Sequence, residues 1–561
     1  MKTTRREFLS LIGKGTALGA SLPLLDGCAP ASTSGALPFD GAVVGEDHSL
    51  CHDMRDGRVT LDPVAPEPHV YDVIIVGGGA SGVAAAWKLL RSGVRDILVI
   101  EKDGDLGGTS ISGEHGGQRF AWAAHYIESP GPDGGHMLDI CEDVGIIRDV
   151  VDGWPVMDPR YVVSEPEIGL TAGGSWRPAH FPIQIAESHD VVEYERFRQD
   201  MYRWVTWRDA AGRRAFGRPI QRTSPADEAR ELDRITMAAY LDRVGVRSEL
   251  VRWYVNNRVV DEYGCGIDTV SAWAGVQFWA QSNSSFTDFE QSGTPAPVVL
   301  SWPEGNAFLV DGMARDLGAS RKRLRSLVLN VRNAGDRALV TCMDADGADR
   351  ATLQARTVVY AAPKHAVYYV MPDLVAAGRN EFNACEYVPW VTASVHVTRP
   401  PAAKPRHPLT WETLGHEAWG LGYIDNRHMT RSGDGFDEPT VLTFYAALCD
   451  DIDAGRHRLL DEGWDYWARA ILGALQQMHP GVEDLITRVD VRKWGHAMIA
   501  MRPGYLWGPE RQRMLRPFGR VHFAGVDIAG TPVFEQGTHR GIEAAEAAMD
   551  TLGVWYASSL S

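Results

Sequence analysis

A strand, a glycine-rich turn, a helix and a second strand that ends in an acid follow one another from residue 71 to residue 101. This order predicts an α/β fold that contains a Rossmann-like domain. The chain has 561 residues, which is enough for more than one domain. Hydrophobic residues make up 44% and charged residues 23% of it, so a disordered or fibrous protein is excluded.

The glycine-rich turn GGGASG at residues 77–82 follows an apolar, β-branched run at 71–76 that is typical of a buried parallel strand. Its first glycine permits a tight bend, its third lets a phosphate approach the backbone, and its last lets the following helix pack closely on the strand. The start of that helix offers free N–H groups and a positive dipole to a pyrophosphate. Cofactor contacts are therefore predicted for Gly77, Gly79, Ala80, Ser81 and Gly82.

The second strand, Asp96 to Ile100, ends at Glu101, where a carboxylate can accept hydrogen bonds from ribose hydroxyls. A second glycine pair follows a few residues later, beside the expected cofactor channel. Together these features predict a bound dinucleotide, but NAD and FAD share this opening. The contacts predicted from this stretch are Glu101, Lys102, Gly107, Gly108 and Thr109.

Two motifs near the C-terminus distinguish between these cofactors. The strand-like run VHFAG at 521–525 is followed by Asp527, and Gln536-Gly537-Thr538 leads into an alanine-rich helix that extends to Met549. With the glycine-rich turn, these motifs make the sequence resemble the FAD-dependent flavin amine oxidoreductase family, which includes amine oxidases, polyamine oxidases and spermidine dehydrogenases. The resemblance implies that the cofactor is FAD.

The resemblance also implies roles for individual residues. Asp527 matches the acid that binds the ribityl–pyrophosphate region of FAD. Val328 matches a backbone contact to the adenine, and an ordinary core valine is the alternative there. Gln536, Gly537 and Thr538 match a helix start beside the flavin pyrimidine ring, where a positive helix end would stabilise the anionic reduced flavin.

A discontinuous domain organisation follows from the same resemblance. It implies an FAD-binding domain at 70–155, 303–385 and 495–555, with an inserted α+β substrate-binding domain at 156–302 and 386–494. Residue patterns place β-type segments at 324–331, 338–343 and 357–363. In the substrate domain they predict helices at 191–208, 234–244 and 463–478, and strands at 391–397 and 441–448.

The N-terminus resembles a twin-arginine export signal. Arg5-Arg6 precede a weakly apolar stretch to Leu25 that is too short and too polar for a stable transmembrane helix. The sequence LDGC at 25–28 resembles a lipoprotein cleavage box, and cleavage nearby without lipidation is the alternative. The sequence thus predicts an export signal at 1–28, a tether at 29–69 and a partnership with the twin-arginine export machinery. It also predicts a periplasmic or other extracytoplasmic protein whose only membrane attachment is a lipid on Cys28.

Three residues are candidates for the chemistry. His125 matches a position that lines the isoalloxazine ring in the family, and it is a candidate base or substrate-orienting group; a structural histidine is the alternative. Phe534 falls near one of two aromatic rings that hold the amine in the family's oxidases. Glu535 offers an anion to a cationic amine, and a helix-capping carboxylate is the alternative.

Two features of the family's oxidases are missing. The second aromatic ring is expected just before Pro503-Gly504, but residues 497–501 read AMIAM. The oxidases also carry a lysine that holds a water at the flavin and assists the reaction with oxygen. The matching stretch, Thr392-Ala393-Ser394, has no lysine. These differences favour a dehydrogenase that passes its electrons to a quinone or a cytochrome.

The sequence and the resemblance together predict an exported FAD enzyme that oxidises a small molecule, a cationic amine or polyamine, by hydride transfer. Two alternatives stay open: desaturation or isomerisation of an apolar substrate, which the missing ring favours, and a non-catalytic flavoprotein for electron relay or assembly. The net charge of −17 disfavours nucleic acid as a partner. Seven scattered cysteines without a CxxC pair exclude a disulfide scaffold and indicate no metal site.

Overall fold

The structure, a computed structural model, describes residues 35–45, 48–59, 64–132, 134–281, 298–347, 349–401, 409–430 and 437–560. Residues Leu37–Ser561 form one compact unit. The predicted export signal at 1–28, with Cys28, lies outside the described residues. No helix in the described ranges has the length and apolar character needed to span a bilayer.

The α-helices, numbered in chain order through the described residues, are α1 Ser49–Arg55, α2 Ala80–Arg91, α3 His136–Asp143, α4 Ser188–Thr206, α5 Asp227–Arg230, α6 Met237–Val244, α7 Glu249–Tyr263, α8 Ala272–Gln281, α9 Ala307–Met313, α10 Val367–Val370, α11 Pro372–Ala376, α12 Ile452–Asp461, α13 Trp464–Met478, α14 Pro509–Met514, α15 Val526–Ala529 and α16 Phe534–Leu552.

The strands are β1 Pro66–Val76, β2 Ile97–Ile100, β3 Ser112–His115, β4 Gln118–Ala121, β5 Tyr126–Glu128, β6 Ile147–Val151, β7 Trp154–Met157, β8 Ile168–Ala172, β9 Ser175–Arg177, β10 Val299–Ser301, β11 Lys322–Arg323, β12 Ser326–Ala334, β13 Arg337–Asp344, β14 Arg350–Tyr360, β15 Tyr387–Val397, β16 Glu412–Gly415, β17 Gly422–Asp425, β18 Thr440–Ala447, β19 Ile486–Ile499 and β20 Val521–Phe523.

The first large sheet contains the predicted nucleotide-binding elements. Its strand order is β11-β2-β1-β14-β13-β12, and β20 pairs with the C-terminal end of β14. Strand β1 is parallel to β2 and to β14, and β14 is parallel to β20, so the carboxyl ends of these strands open on one edge. Ile74 and Val76 pack in one core cluster, and Val73 and Ile75 pack in another. The sheet is therefore buried on both faces, as its β-branched, apolar strands require.

The second large sheet has the order β19-β15-β18-β17-β16-β8-β9 and is antiparallel except between β16 and β8. Strand β15 is buried along its whole length. Its alternate residues Val391, Ala393 and Val395 pack with α13, whereas Trp390 packs in the cluster on the opposite face. This opposite face is the side of the sheet on which the polar cavity described below lies.

The predicted elements are present with small shifts at their ends. The helices predicted at 191–208, 234–244 and 463–478 correspond to α4, α6 and α13, and the strands predicted at 391–397 and 441–448 to β15 and β18. Asp527 is expected with the strand-like run at 521–525. In the structure it lies after that strand, in the one-turn helix α15. The first sheet draws its strands from residues 66–100, 322–360 and 521–523, and the second from 168–177 and 387–499. The predicted domain boundaries stay a prediction.

The predicted tether at 29–69 is corrected by the structure for part of its length. Asp40 and Val43 form parallel bridges with β19, and the ring of Phe39 is buried against Trp464. An added Cβ at Gly41 would lie only 1.7 Å from a carbonyl oxygen of β19. Strand β19 lies at the end of its sheet, so it offers an open edge with which this largely apolar, glycine-containing segment pairs.

Helices α2 and α16 join the two ends of the folded chain. Alanines of both helices share a core cluster, and Ser81 Oγ donates to Gly537 O over 2.7 Å. At Gly541 an added Cβ would lie 2.1 Å from Ser81 O. Small residues on both helices therefore allow their backbones to approach closely, and their first turns lie side by side.

We expect Gly541→Ala to force α16 away from α2, because the backbone carbonyl of Ser81 cannot make room for a methyl group. The substitution should lower the free energy of unfolding by about 1–3 kcal/mol, and it should reduce the amount of cofactor that copurifies. Thermal unfolding and the flavin content of the purified protein measure the two effects.

Gly473→Ala is the matched control. Gly473 lies inside α13 and an added Cβ there has no atom within 4 Å, so alanine should be neutral or slightly stabilising. Equal unfolding temperatures for the two variants would contradict the inferred close contact of α2 and α16.

Candidate cofactor and substrate site

The two glycine-rich loops lie against each other at the carboxyl ends of β1 and β2. Gly107 N donates to Gly78 O over 2.8 Å, and Gly79 and Gly107 form a parallel bridge. Gly77 has a φ of +98°, a left-handed conformation that favours glycine. An added Cβ at Gly82 would lie 1.9 Å from Gly77 O, so this tight turn needs glycine at both of its ends.

Open space remains beside Gly79 and Gly108. A Cβ added at Gly79 would meet only Gly108 Cα, at 3.9 Å. Gly79 directly precedes α2, which begins at Ala80, so the N–H groups of the first helical turn lie beside this space. Thr109, in the second loop, is exposed. The bare backbone and the positive helix end fit a pyrophosphate, which places the predicted dinucleotide contacts together.

Glu101 closes one side of the glycine-rich turn. Its carboxylate accepts hydrogen bonds from Gly78 N at 2.6 Å and from Asp103 N at 2.9 Å. Burial raises the pKa of Glu101, and the two backbone donors oppose that effect. Lys102 forms an ion pair with Asp103. The ribose contact of Glu101 and the cofactor contact of Lys102 stay predictions.

Asp527 forms a buried ion pair. Its carboxylate accepts from Lys364 N at 2.8 Å, from Tyr387 OH at 2.6 Å and from Lys364 Nζ at 3.2 Å. The Lys364 ammonium also donates to carbonyl groups at the ends of β14 and β20. Burial lowers the pKa of Lys364, and Asp527 opposes the decrease. This pair ties the two parallel strands together, and the contact of Asp527 with the ribityl–pyrophosphate stays a prediction. Val328 is buried in β12, and its adenine contact likewise stays a prediction.

The side chains at the start of α16 hold this helix in place. Gln536 is fully buried; its Oε1 accepts from Ile220 N at 2.9 Å and its Nε2 donates to Ala529 O at 3.1 Å. Thr538 Oγ1 donates to Phe534 O at 3.1 Å. Because these side chains are used within the protein, the backbone N–H groups of the first turn remain as the donors for a cofactor.

Phe534 is not part of the cavity lining that the structure shows. Its ring is buried in a core cluster with Trp87 and Met137, beneath α2 and α3. The predicted role as an aromatic wall of an amine site therefore has no contact to support it. The large aromatic side chain serves instead to anchor the start of α16 in the core.

Glu535 is not a free anion, contrary to the prediction. Its Oε1 accepts a hydrogen bond from Arg218 Nη1 at 3.0 Å, and its side chain is 7% exposed. The helix-capping alternative fits no better, because the carboxylate is turned to the guanidinium of another segment. The negative charge of Glu535 is thus neutralised before any substrate binds.

A polar cavity lies next to His125. Four carboxyl groups, one guanidinium and two imidazoles line it, together with aromatic and aliphatic side chains. The complete lining is His125, Tyr126, Glu128, Glu167, Ile168, His180, Arg258, Asp261, Phe278, Val299, Trp411 and Glu412. The acidic groups outnumber the basic one, so the cavity is suited to a cation.

One buried network crosses the cavity. Arg258 Nη1 lies 3.4 Å from Glu412 Oε2 and 3.5 Å from Asp261 Oδ2, and Tyr445 OH donates to the other oxygen of Glu412. Burial and the Glu412 charge raise the pKa of Asp261. Burial, together with Glu412 and other carboxylates, raises the pKa of Glu167 to about 8. At neutral pH these two acids therefore hold their protons, and Arg258 faces the carboxylate of Glu412.

His125 has a fixed tautomer. Its Nδ1 lies 2.8 Å from Ala123 O, and because a carbonyl only accepts, Nδ1 carries the proton. Nε2 therefore holds the lone pair. Burial lowers the pKa of His125, so the ring is neutral at pH 7. It packs between the rings of Tyr126, Trp411 and Tyr445.

His180, which the sequence analysis missed, is the second imidazole of the cavity. Burial lowers its pKa to about 4, so it is neutral as well. Its Nδ1 is buried without a hydrogen-bond partner in the part of the chain that the structure describes. A buried polar atom that lacks a partner indicates a place for a polar ligand.

Sequence reasoning found one residue of this cavity and missed the others. A usable signal was present in α7, whose buried face includes the charged residues Arg258 and Glu262, four residues apart. Glu412 begins a buried strand, which is also an unusual position for a charge. The positions of Glu167 and His180 gave no such signal.

Curated proteins with related sequences include an FAD-dependent hydroxylase and an oxidoreductase. An FAD-dependent urate hydroxylase from Xanthomonas campestris pv. campestris is 44% identical over 62 residues, which are 10% of this chain and 13% of that protein. The oxidoreductase PigB from Serratia sp. is 23% identical over an alignment that covers 87% of this chain and 77% of that protein. The chain thus spans only about an eighth of the urate hydroxylase but most of PigB.

Solved structures share the fold. A triple mutant of a putrescine oxidase has a TM-score of 0.63 and 17% identity, and the match covers 86% of this chain and 99% of that one. Cyclohexylamine oxidase from Brevibacterium oxydans has a TM-score of 0.60 and 18% identity, with 86% and 100% covered. The α/β fold with a Rossmann-like FAD-binding domain is therefore confirmed.

The family model described as flavin containing amine oxidoreductase matches residues 80–549, from the first turn of α2 to the last turns of α16. This range includes the cavity and most of the cofactor loops, and the loops fit a dinucleotide in their geometry. The chain therefore belongs to the flavin-containing amine oxidoreductase family and is an oxidoreductase that uses FAD.

Proposed function

We propose that this protein oxidises a cationic amine, and the acidic cavity beside His125 is the observation that supports the proposal. A protonated amine can displace the protons that burial holds on Glu167 and Asp261 and pair with the carboxylates that form. Its N–H groups also match the buried acceptors of the cavity. The unpartnered Nδ1 of His180 and the carboxylates of Glu167 and Asp261 are the groups proposed to bind it.

The chemistry requires the amine to lose its positive charge before it is oxidised. FAD, when bound, supplies the acceptor for the hydride that leaves the α-carbon. His125 Nε2 carries a lone pair at neutral pH, and His125 lines the same cavity. We therefore propose that His125 accepts the proton that the ammonium group loses. Trp411 and Tyr445 fix the plane of its ring and exclude water from it.

An apolar substrate fits this cavity less well. Desaturation or isomerisation of a hydrocarbon chain would bury four carboxyl groups against carbon, which costs free energy without any compensating contact. Four tryptophans that could line an apolar pocket lie in the core and not in this cavity: Trp273, Trp390 and Trp494 in one cluster and Trp302 in another. The cavity therefore favours the amine over the hydrocarbon.

The amine proposal predicts bleaching of the flavin when the holoenzyme is mixed with its amine in the absence of oxygen.

Between pH 6 and 8, binding of a cation displaces a proton from Glu167, because burial holds its pKa at about 8. The apparent affinity should therefore increase with pH over this range. Glu167→Gln should weaken this dependence, because Asp261, whose pKa is also raised by burial, keeps part of it, and should bind the amine about tenfold more weakly, a change of about 1.4 kcal/mol. Stopped-flow absorbance with a series of mono-, di- and polyamines measures both effects.

Glu249→Gln is the control, since Glu249 is an exposed carboxylate at the start of α7. It should behave like the unchanged protein. A flavin that no amine reduces, but that an apolar substrate does reduce, would contradict the proposed reaction. An amine whose affinity depends on pH in the same way with and without Glu167 would contradict the role of that residue alone.

We propose further that the electrons leave to an acceptor other than oxygen, such as a quinone or a cytochrome. Thr392, Ala393 and Ser394 are buried on β15 and bring no positive charge to the position where the family's oxidases carry a lysine. Arg492 pairs across the sheet with Thr392, but its guanidinium stacks on the ring of Trp494, 4.6 Å from the centroid. A cation beside the flavin stabilises the negative charge that develops on oxygen.

Reduced enzyme should therefore react with oxygen at least about tenfold more slowly than with a soluble quinone analogue, a difference of about 1.4 kcal/mol in the barriers. Mixing dithionite-reduced holoenzyme with each acceptor in a stopped-flow instrument measures the two rates. Oxygen that reacts faster than the quinone would contradict the proposal. If Arg492→Gln then slowed the oxygen reaction, the arginine would be identified as the substitute for the lysine.

We propose that the protein is exported by the twin-arginine machinery and attached to a membrane through a lipid on Cys28. The paired arginines and the LDGC sequence support this proposal.

Replacing Arg5 and Arg6 together by lysine should retain the protein inside the cytoplasm, because the receptor reads the arginine pair. Cys28→Ala should leave export intact and release the protein from membranes. Fractionation and immunoblotting measure both, and normal export of the double lysine variant would show that the signal is not used.

A further inference from the structure

Arg218 joins three carboxylates at the start of α16. Its Nη1 donates to Glu535 Oε1 at 3.0 Å, its Nη2 donates to Glu262 Oε1 at 2.6 Å, and Nη1 lies 4.0 Å from Glu128 Oε2. The guanidinium is 14% exposed and the three carboxylate side chains are 5–17% exposed. Burial alone would lower the pKa of Arg218, but the surrounding carboxylates raise it, so the group stays charged.

The segment that carries Arg218 also contacts the next residue of α16. Ile220 N, two residues after Arg218, donates to the side chain of Gln536. Arg218 and Ile220 therefore bind two consecutive residues in the first turn of the helix, Glu535 and Gln536. The first turn is thus held in place by a charged contact and a neutral one.

The first turn of α16 lies beside the cofactor loops. Ser81, in the first turn of α2, donates to Gly537 O, and an added Cβ at Gly537 would lie 3.4 Å from Ser81 Oγ. Since α2 begins at the glycine-rich turn, the N-termini of both helices open on the same space. Each helix start has the equivalent of about half a positive charge.

Glu535 opposes the positive end of α16. A carboxylate in the first turn stabilises the helix, but it also cancels the positive potential that the helix presents to a neighbouring group. Neutralising this carboxylate with a guanidinium restores the potential. Without Arg218, the carboxylates of Glu128, Glu262 and Glu535 would lose the buried positive charge that they share.

We propose that Arg218 is a positioning residue of the FAD site, which keeps the start of α16 electropositive and thereby favours the reduced over the oxidised flavin. A second contact links this residue to the cavity. Glu262, which accepts from Arg218 with one oxygen, accepts from Tyr126 OH with the other, at 2.7 Å. Tyr126 lines the cavity. The guanidinium of Arg218 is therefore linked by hydrogen bonds to the start of α16 and, through Glu262 and Tyr126, to the cavity.

The test is the reduction potential of the bound flavin, measured by slow enzymatic reduction beside a reference dye. No amine is needed, so the result is independent of the proposed reaction. Arg218→Gln should weaken the binding of reduced flavin relative to oxidised flavin at least about tenfold, which lowers the potential by about 30 mV for a two-electron couple. Glu535→Gln should shift the potential in the opposite direction, because it removes a negative charge from the same turn.

The paired variant separates charge from structure. Arg218→Gln combined with Glu535→Gln should recover most of the potential, because the charges lost are opposite. Arg234→Gln, which removes an exposed arginine, is the matched control and should leave the potential unchanged. If Arg218→Gln does not yield folded holoenzyme, Glu535→Gln decides alone. A Glu535→Gln potential equal to or below that of the unchanged protein would overturn the proposal, as would a paired variant as low as Arg218→Gln.

Discussion

The close packing of α2 against α16 is the contact on which the rest of the structure depends. It joins residues that are more than 450 positions apart in the chain, and it is possible because Gly537 and Gly541 place no side chain between the two backbones. The same contact places two helix N-termini at the edge where the parallel strands end. The packing of α2 against α16 therefore forms a site for an anionic dinucleotide.

The buried charges around Arg218 and Arg258 are the second constraint. Each arginine is shared among several carboxylates, and each group lies in a region with little access to water. Carboxylates that share one cation are not all compensated as charges within the protein, and burial accordingly raises the pKa of Glu167 and of Asp261 in the cavity beside His125. These buried charges cost stability, and they lie within residues 80–549, the range that the family model matches.

Local sequence patterns were sufficient to predict the glycine-rich turn of the cofactor site. A glycine with positive φ, a glycine under a carbonyl and an acid at a strand end are constraints within some thirty residues, and the turn at 77–82 meets all of them. The same is true of the helices and strands, whose periodicity is a property of neighbouring residues. The tether was misjudged because a composition rich in proline, glycine, serine and alanine is typical of a linker, whereas the open edge of β19 that binds it is formed more than 440 residues away.

The sequence by itself thus determined the fold class, the cofactor loops and the family resemblance, because each depends on residues that are close in the chain or at fixed spacing. Only the tertiary structure decided the roles of the polar groups. The sequence predicts Glu535 as an anion for a substrate, whereas in the fold it pairs with Arg218, and Phe534 packs in a core cluster. The cavity collects its charges from β5, α7 and β16 and from the segments around Glu167 and His180. The charge state and availability of a buried group depend on its neighbours in space, and spacing along the chain does not contain that information.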